Sequence, residues 1–294
     1  LGALSDSERR DALDQILPTQ ITQQSNAVAQ LATLQTGNLQ HRLNNLRAGS
    51  RGLSLAGLTS SINGEKLAIG DILDAEIGGS GGSAGEGAMY GDGIGIFITG
   101  SIATGDGDAT TNIDGFDFDT QSITAGIDYR LKDKLVLGIA LGITDAESDT
   151  KGSDSEFNSD GVSLSTYGNW YPKDNVYIDW IATYGANDYD SQRQITIGNQ
   201  TVLANGDSDG GQWSLSTSTG YEFQLKSWML GGFARVGYME AEIKSYSETG
   251  GGGLALNVNR QVIRSVPVSI GARVDRAFSI PIGVLVPLVD IEWV

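Results

Sequence analysis

The chain has 294 residues, with 36 acidic against 19 basic side chains and a formal net charge of −17. That length holds one large β domain or two ordinary ones, and the lack of clustered Lys and Arg excludes nucleic acid as a partner. Zero cysteines exclude disulfides, thiolate metal sites and a Cys nucleophile, and a single histidine, His41, excludes a multi-His metal site within this chain.

No run reaches 18 consecutive apolar residues, so no transmembrane helix is expected. The opening "LGALSDSERR" carries no apolar signal-peptide core. Either the mature protein begins here or, as the preferred reading, this is a piece of something longer. Residues 1–50 read as helical. Ser5-Asp6-Ser7-Glu8 fits a capping box ahead of Ala12, Leu13, Ile16 and Leu17, and Pro18 ends that helix. A second helix is expected from about Gln24 to Arg47. It carries Leu31, Leu34, Leu39, Leu43 and Leu46, but Gln, Asn and Thr cover most of the rest of its circumference. Such a helix needs a wet or polar surrounding.

Residues 51–87 form a Gly/Ser-rich linker with short structured patches. Its Gly78-Gly79-Ser80-Gly81-Gly82 run matches G-x-S-x-G, yet it lacks the strand, the helix and the histidine base that a nucleophile elbow requires. Linker is the reading that remains.

From Ala88 to Val294 the period becomes two. Ile123, Ala125, Ile127, Tyr129 and Leu131 share one parity; Ser122, Thr124, Gly126, Asp128 and Arg130 share the other. Nine strands are expected, at roughly 92–104, 120–131, 135–146, 161–171, 176–188, 212–225, 228–243, 262–277 and 282–294. Tight turns fall at Lys132–Lys134, Pro172–Asn175, Lys226–Ser227 and Ser279–Pro281, and long acidic or Gly-rich loops at 105–119, 145–160, 189–211 and 244–260. Strands this long, with connections short at one end and long at the other, point to an antiparallel transmembrane β-barrel rather than a soluble sandwich. The apolar parity then faces lipid, with Trp170, Tyr171, Tyr177, Trp213, Trp228 and Tyr238 as interfacial girdles.

Three stretches resemble the C-terminal translocator domain of autotransporters (type V secretion). They are "ALDQILPTQITQQSNAVAQLATLQTGNLQHRLNNLRAGSRGLSLAGL", "GFDFDTQSITAGIDYRLKDKLVLGIALGITDAESD" and "VPVSIGARVDRAFSIPIGVLVPLVDIEW". The resemblance implies a twelve-stranded barrel in the bacterial outer membrane whose N-terminal helix threads the pore and joins an exported passenger. Nine strands ending at Val294, without the family's terminal aromatic, imply that the chain continues beyond this point and that the passenger precedes Leu1. The implied partners are outer-membrane lipid and lipopolysaccharide, the barrel-assembly machinery and the chain's own N-terminal passenger. Long loops would be extracellular and short turns periplasmic.

Inward parity makes Asp128, Asp179, Glu222 and Asp275 candidate lumen acids, with Arg130, Arg235 and Arg273 as lumen bases. Arg42, Arg47 and Arg51 on the pore segment are expected to seat the helix against those acids. Asn44-Asn45 matches the paired asparagines at which some autotransporters release their passenger, although a simple helix end ahead of Gly49 accounts for them as well. Acidic loops without EF-hand spacing read as solvated and repulsive. The expected function is non-enzymatic: a translocator that exports and anchors a passenger, with no cofactor. The alternative is a stand-alone outer-membrane barrel acting as a plugged pore or an anchor for a surface partner. A signal peptide directly before Leu1 would favour the alternative.

Overall fold

The structure, a computed structural model, describes residues 19–47, 52–54, 58–62, 65–68, 93–109, 114–197, 200–225, 228–276, 278–280, 283–285 and 288–293. The expected capping box at Ser5–Glu8, the Gly78–Gly82 run and Arg51 lie outside the described residues.

Thr19–Arg47 form one helix, α1, which is in place five residues ahead of the expected start at Gln24. One face of α1 is buried throughout and carries Gln24, Val28, Leu31, Gln35, Asn38, Leu39, Arg42, Leu43 and Leu46. These positions follow the helical repeat, but polar and apolar residues alternate along the stripe. Leu34 falls off this face and is only half-buried.

Three short strands follow: β1 (Gly52–Ser54), β2 (Leu58–Ile62) and β3 (Glu65–Ala68). Seven long strands come next: β4 (Ile94–Gly107), β5 (Phe116–Leu131), β6 (Leu135–Thr150), β7 (Glu156–Lys173), β8 (Val176–Ile197), β9 (Gln200–Leu225) and β10 (Trp228–Ile243). Then come β11 (Tyr246–Ser247), β12 (Thr249–Gly250), β13 (Asn257–Val258), β14 (Gln261–Ser265), β15 (Val268–Arg276), β16 (Phe278–Ile280), β17 (Gly283–Leu285) and β18 (Leu288–Trp293). The main sheet runs β18-β15-β10-β9-β8-β7-β6-β5-β4-β2-β3, with β14 also on β10, β12 on β9 and β1 on β4. From β4 to β18 every main-sheet pairing is antiparallel. The eighth expected strand is split at Val266-Pro267, where proline has no N–H to continue the ladder.

α1 lies against one face of this sheet and touches every long strand from β4 to β10, as well as β14. Seven flat strands would be about 29 Å wide at the usual spacing, more than twice a helix diameter of about 10–12 Å. The sheet therefore curls around the helix as the wall of a transmembrane β-barrel.

Two expectations need correction. The segments 145–160 and 189–211 are not loops: β6 to β9 run through most of them, leaving connections at 151–155 and 198–199. Asp106, Asp117 and Asp119, assigned to the first loop, are strand residues too. Beyond the apolar layer the outward residues meet water while the inward ones stay buried, so hydrophobic alternation stops on the outer face while backbone pairing continues. The second correction is Tyr177, which is buried on the inward face and does not belong to the girdle.

The outward face is apolar over a limited height. On β6 it reads Leu135, Leu137, Ile139, Leu141, Ile143, then Asp145, Glu147 and Asp149. Nine residues from Leu135 to Ile143 match the roughly 9–11 that a tilted strand needs to cross the hydrocarbon core. Trp170, Tyr221 and Trp228 are exposed near the short-turn end; Tyr184 and Trp213 are exposed near the other, with the Trp213 ring tilted against Tyr238 at 4.8 Å between centroids. Directly above this belt, Asp145, Asp160, Asp188 and Asp209 pair side by side across four neighbouring strands.

Candidate functional site

The inward face and the helix on it form the candidate site, in three zones. Nearest the short turns, Leu39, Leu43 and Leu46 pack on Phe97, Val136, Ala140, Tyr167 and Ile181. Two arginines of α1 reach the wall here. Arg42 donates from Nε to Asp128 Oδ2 at 2.8 Å and from Nη2 to Asp128 Oδ1 at 3.0 Å. Both side chains are almost fully buried, at 1% and 3% exposure. Tyr167 adds its hydroxyl to Asp128 Oδ2 at 2.8 Å, and Arg42 lies 5.2 Å over the Phe97 ring, which meets Tyr167 edge-on. A two-point guanidinium–carboxylate fork fixes both distance and angle.

Arg47, one turn and a half further on, donates from Nη1 to Asp179 and lies with Nε 3.3 Å from Glu222 Oε1. Its guanidinium stacks 4.1 Å over the Tyr177 ring. Asn169 and Ser218 also donate to Asp179. The space is tight. A Cβ on Gly95 would fall 2.3 Å from Asp128 Oδ1, and one on Gly138 would fall 2.2 Å from Tyr167 Cζ.

The middle zone is polar. Asn38 Nδ2 donates to Ser122 Oγ (3.1 Å) and Thr124 Oγ1 (3.0 Å), while Thr124 donates to Gln35 Oε1 (2.9 Å). Gln35 Nε2 reaches Ser165 Oγ at 3.4 Å. These bonds explain why glutamine and asparagine stand on the buried face of α1: the wall offers Ser and Thr, and an apolar side chain would leave their hydroxyls unpaired.

The outer zone is dry again, with Ala27, Val28 and Ala32 against Phe157, Tyr189, Met239, Ala241 and Ile243. Above it, Gln24 donates to the Tyr246 hydroxyl (3.0 Å) and accepts from Gln261 (3.1 Å). The connection 244–260 folds back onto β8 and β9. Arg193 donates to both Glu248 carboxylate oxygens at 3.0 and 2.6 Å, and to Leu254 O at 2.9 Å. Leu256 N–H closes the set on Glu248 Oε2 at 2.8 Å. This buried pair was missing from the sequence expectations, although Arg193 continues the inward parity of Asp179 and Thr183 along β8.

The remaining candidates sit elsewhere. Asn44 is buried and its carboxamide oxygen accepts from Arg47 and Gln40, while Asn45 is half-buried; the helix runs through both. Arg130 is half-buried at the low end of β5, where its N–H bonds Gly93 O. Arg235 does not meet the named acids; it pairs with Glu292 at 2.7 Å. Arg273 is half-buried on β15. The Asp275 backbone pairs with Met229 and Leu288, and its side chain lies outside the described set. Among the described residues no group of three or more His, Cys, Asp or Glu could hold a metal ion.

The fold is shared with solved autotransporter domains. The translocator domain of the autotransporter NalP from Neisseria meningitidis superposes with a TM-score of 0.58 at 17% identity, covering 69% of this chain and 68% of that one. The beta domain of the Bordetella autotransporter BrkA superposes at 0.53 and 20% identity, covering 69% and 78%. In sequence, the esterase EstA of Pseudomonas aeruginosa is 26% identical over 182 residues, 60% of this chain and 26% of that protein. An uncharacterized protein from the trpE-trpG intergenic region of Pseudomonas putida is 29% identical over 153 residues, again 26% of its length. The chain thus spans about a quarter of the length of these two curated relatives. The autotransporter beta-domain family model matches residues 96–294. The chain belongs to the autotransporter beta-domain family and is an outer-membrane translocator barrel.

Proposed function

We propose that this barrel carries an N-terminal passenger across the outer membrane through its own lumen and then anchors it, with α1 left in the pore as the tether. The carrying observation is the polarity of α1. Its C-terminal end is fixed by Arg42–Asp128 and Arg47–Asp179/Glu222 at the short-turn end; its N-terminal end lies beside Tyr246 and Gln261 at the opposite rim. A chain preceding Thr19 therefore leaves on the side of the extended strands. With short turns in the periplasm, that side is the cell exterior.

In this arrangement Asp128, Asp179 and Glu222 are the seats for the two arginines, and Gln35 and Asn38 satisfy the wall between them. The outward belt meets lipid, and the carboxylate rim above it stands at the level of lipopolysaccharide headgroups. Insertion falls to the barrel-assembly machinery, because strand edges are not tolerated in hydrocarbon. The domain itself is a transport device, and any enzymatic activity belongs to the passenger.

The test is an epitope placed just ahead of Thr19 in the full-length protein, with a second in the Asp174-Asn175 turn. On intact cells, added protease is expected to remove the first and spare the second. Protection of the first until the outer membrane is opened would reject the orientation.

A further inference from the structure

A barrel strand has two pairing edges, and on β4 they are treated differently. One edge is taken by β5 in an unbroken antiparallel ladder from Ile94↔Tyr129 to Gly107↔Phe116. The other edge is met by the segment that leaves α1. There β1 pairs in parallel over Gly52↔Gly95 to Ser54↔Phe97, and β2 continues over Leu58↔Gly100 to Ile62↔Thr104, with the register slipping by one residue between them. β3 then backs β2 antiparallel, closing with Ile62↔Glu65. The two residues between these partners are Asn63-Gly64, the dipeptide most favoured in two-residue hairpin connections. Among the described residues no other strand pairs with this edge of β4.

Parallel pairing cannot belong to the finished wall, because bacterial single-chain outer-membrane barrels have an even number of antiparallel strands and close on themselves without an edge. Yet an uncovered β4 edge would present a row of unpaired N–H and C=O groups, costly in lipid and a template for wrong strand addition in water. The covering segment suits a temporary role. Gly52-Leu53-Ser54 and Leu58-Thr59-Ser60-Ser61-Ile62 carry no charge and no proline. They cover the edge with three and five pairs, respectively, against the fourteen-residue length of β4. Parallel pairs are also somewhat weaker per residue. An antiparallel strand offering the whole length therefore displaces them.

We propose that Gly52–Ser54 and Leu58–Ile62 are placeholder strands: they cover the seam edge of β4 during assembly and are displaced by the strand that closes the barrel. This rests on the barrel fold and is independent of the route taken by the passenger.

The chain has no cysteine, so engineered pairs report without background. Ser60→Cys with Ile102→Cys joins register partners across the placeholder, and Ile102→Cys with Gln121→Cys joins β4 to β5 as the control. Neighbouring strands lie about 4.7–4.9 Å apart, within disulfide reach. In pulse-labelled full-length protein, the 60–102 disulfide is expected in the early species unfolded by warm detergent and lost from the heat-resistant barrel. The 102–121 control is expected in both. Locking 60–102 by oxidation before insertion should block formation of the heat-resistant species, and reductant should restore it. A 60–102 crosslink that persists in the heat-resistant barrel overturns the proposal. So does one that never forms while the control does, or a locked protein that closes with undiminished yield.

Discussion

Replacing Arg42 with methionine keeps most of the side-chain volume and removes the charge from a fork whose partner, Asp128, is buried with it. Asp128 keeps the Tyr167 hydroxyl at 2.8 Å but loses both guanidinium bonds. Leaving one member of a buried ion pair uncompensated costs about 3–5 kcal/mol. The Tyr167 hydrogen bond is present before and after the change, so it does not offset that cost. The expected loss is therefore about 3–5 kcal/mol in the stability of the helix-filled barrel. Adding Asp128→Asn removes the stranded charge and is expected to recover at least half of it. Urea unfolding of the folded protein in detergent micelles, run as a double-mutant cycle, measures both. A loss below about 0.5 kcal/mol for Arg42→Met, the range of inconsequential surface changes, would refute the reasoning. Additivity of the two substitutions would refute it too.

Gly138→Ala places a methyl group 2.2 Å from the Tyr167 ring. The ring must shift away from Asp128, so a loss of about 1–3 kcal/mol is expected from overpacking, measured in the same unfolding assay. Glu248→Gln breaks the carboxylate fork on buried Arg193; protease cleavage within 244–260 is expected to accelerate on intact cells while the barrel stays heat-resistant. Above the belt, Asp145 is held above the usual carboxylate value by partial burial and by facing Asp160. A raised folded-state pKa means the folded protein binds the proton more tightly than the unfolded chain. Stability therefore falls as pH rises from the unfolded value, about 3.9, through the raised one. Asp160→Asn should stabilise at neutral pH by a few tenths to about 1 kcal/mol, less at high salt, and should have no effect once both carboxyls are protonated.

The barrel was legible because a strand crossing lipid writes its two surroundings into alternate residues. Asp128, Asp179 and Glu222 could be placed on the inner face from parity alone. Which arginine meets which acid could not, because the rise of α1 against the wall has no period in the sequence. Gln35 and Asn38 made the helix look unlike a core helix, and that oddity was the clue to a hydroxyl-lined wall. Tyr177 was misplaced because an aromatic beside a turn suggests a girdle, although it shares parity with Asp179. Arg193 and Glu248 stayed hidden behind the same boundary that turned strands into loops: above the bilayer the outward residues become Asp145, Asp160, Asp188 and Asp209, and the alternation vanishes. The parallel pairing of β1 and β2 with β4 joins segments too far apart for any local pattern to register.

The claim that α1 stays in the lumen while its N-terminal side stands outside the cell is tested most directly by joining Asn38→Cys to Thr124→Cys, the helix and wall residues that bond at 3.0 Å. Oxidation of intact cells should form this disulfide in the same molecules whose segment ahead of Thr19 is removed by external protease. Absence of the disulfide from protease-accessible molecules, with Ile102→Cys/Gln121→Cys still forming on the wall, would contradict the account.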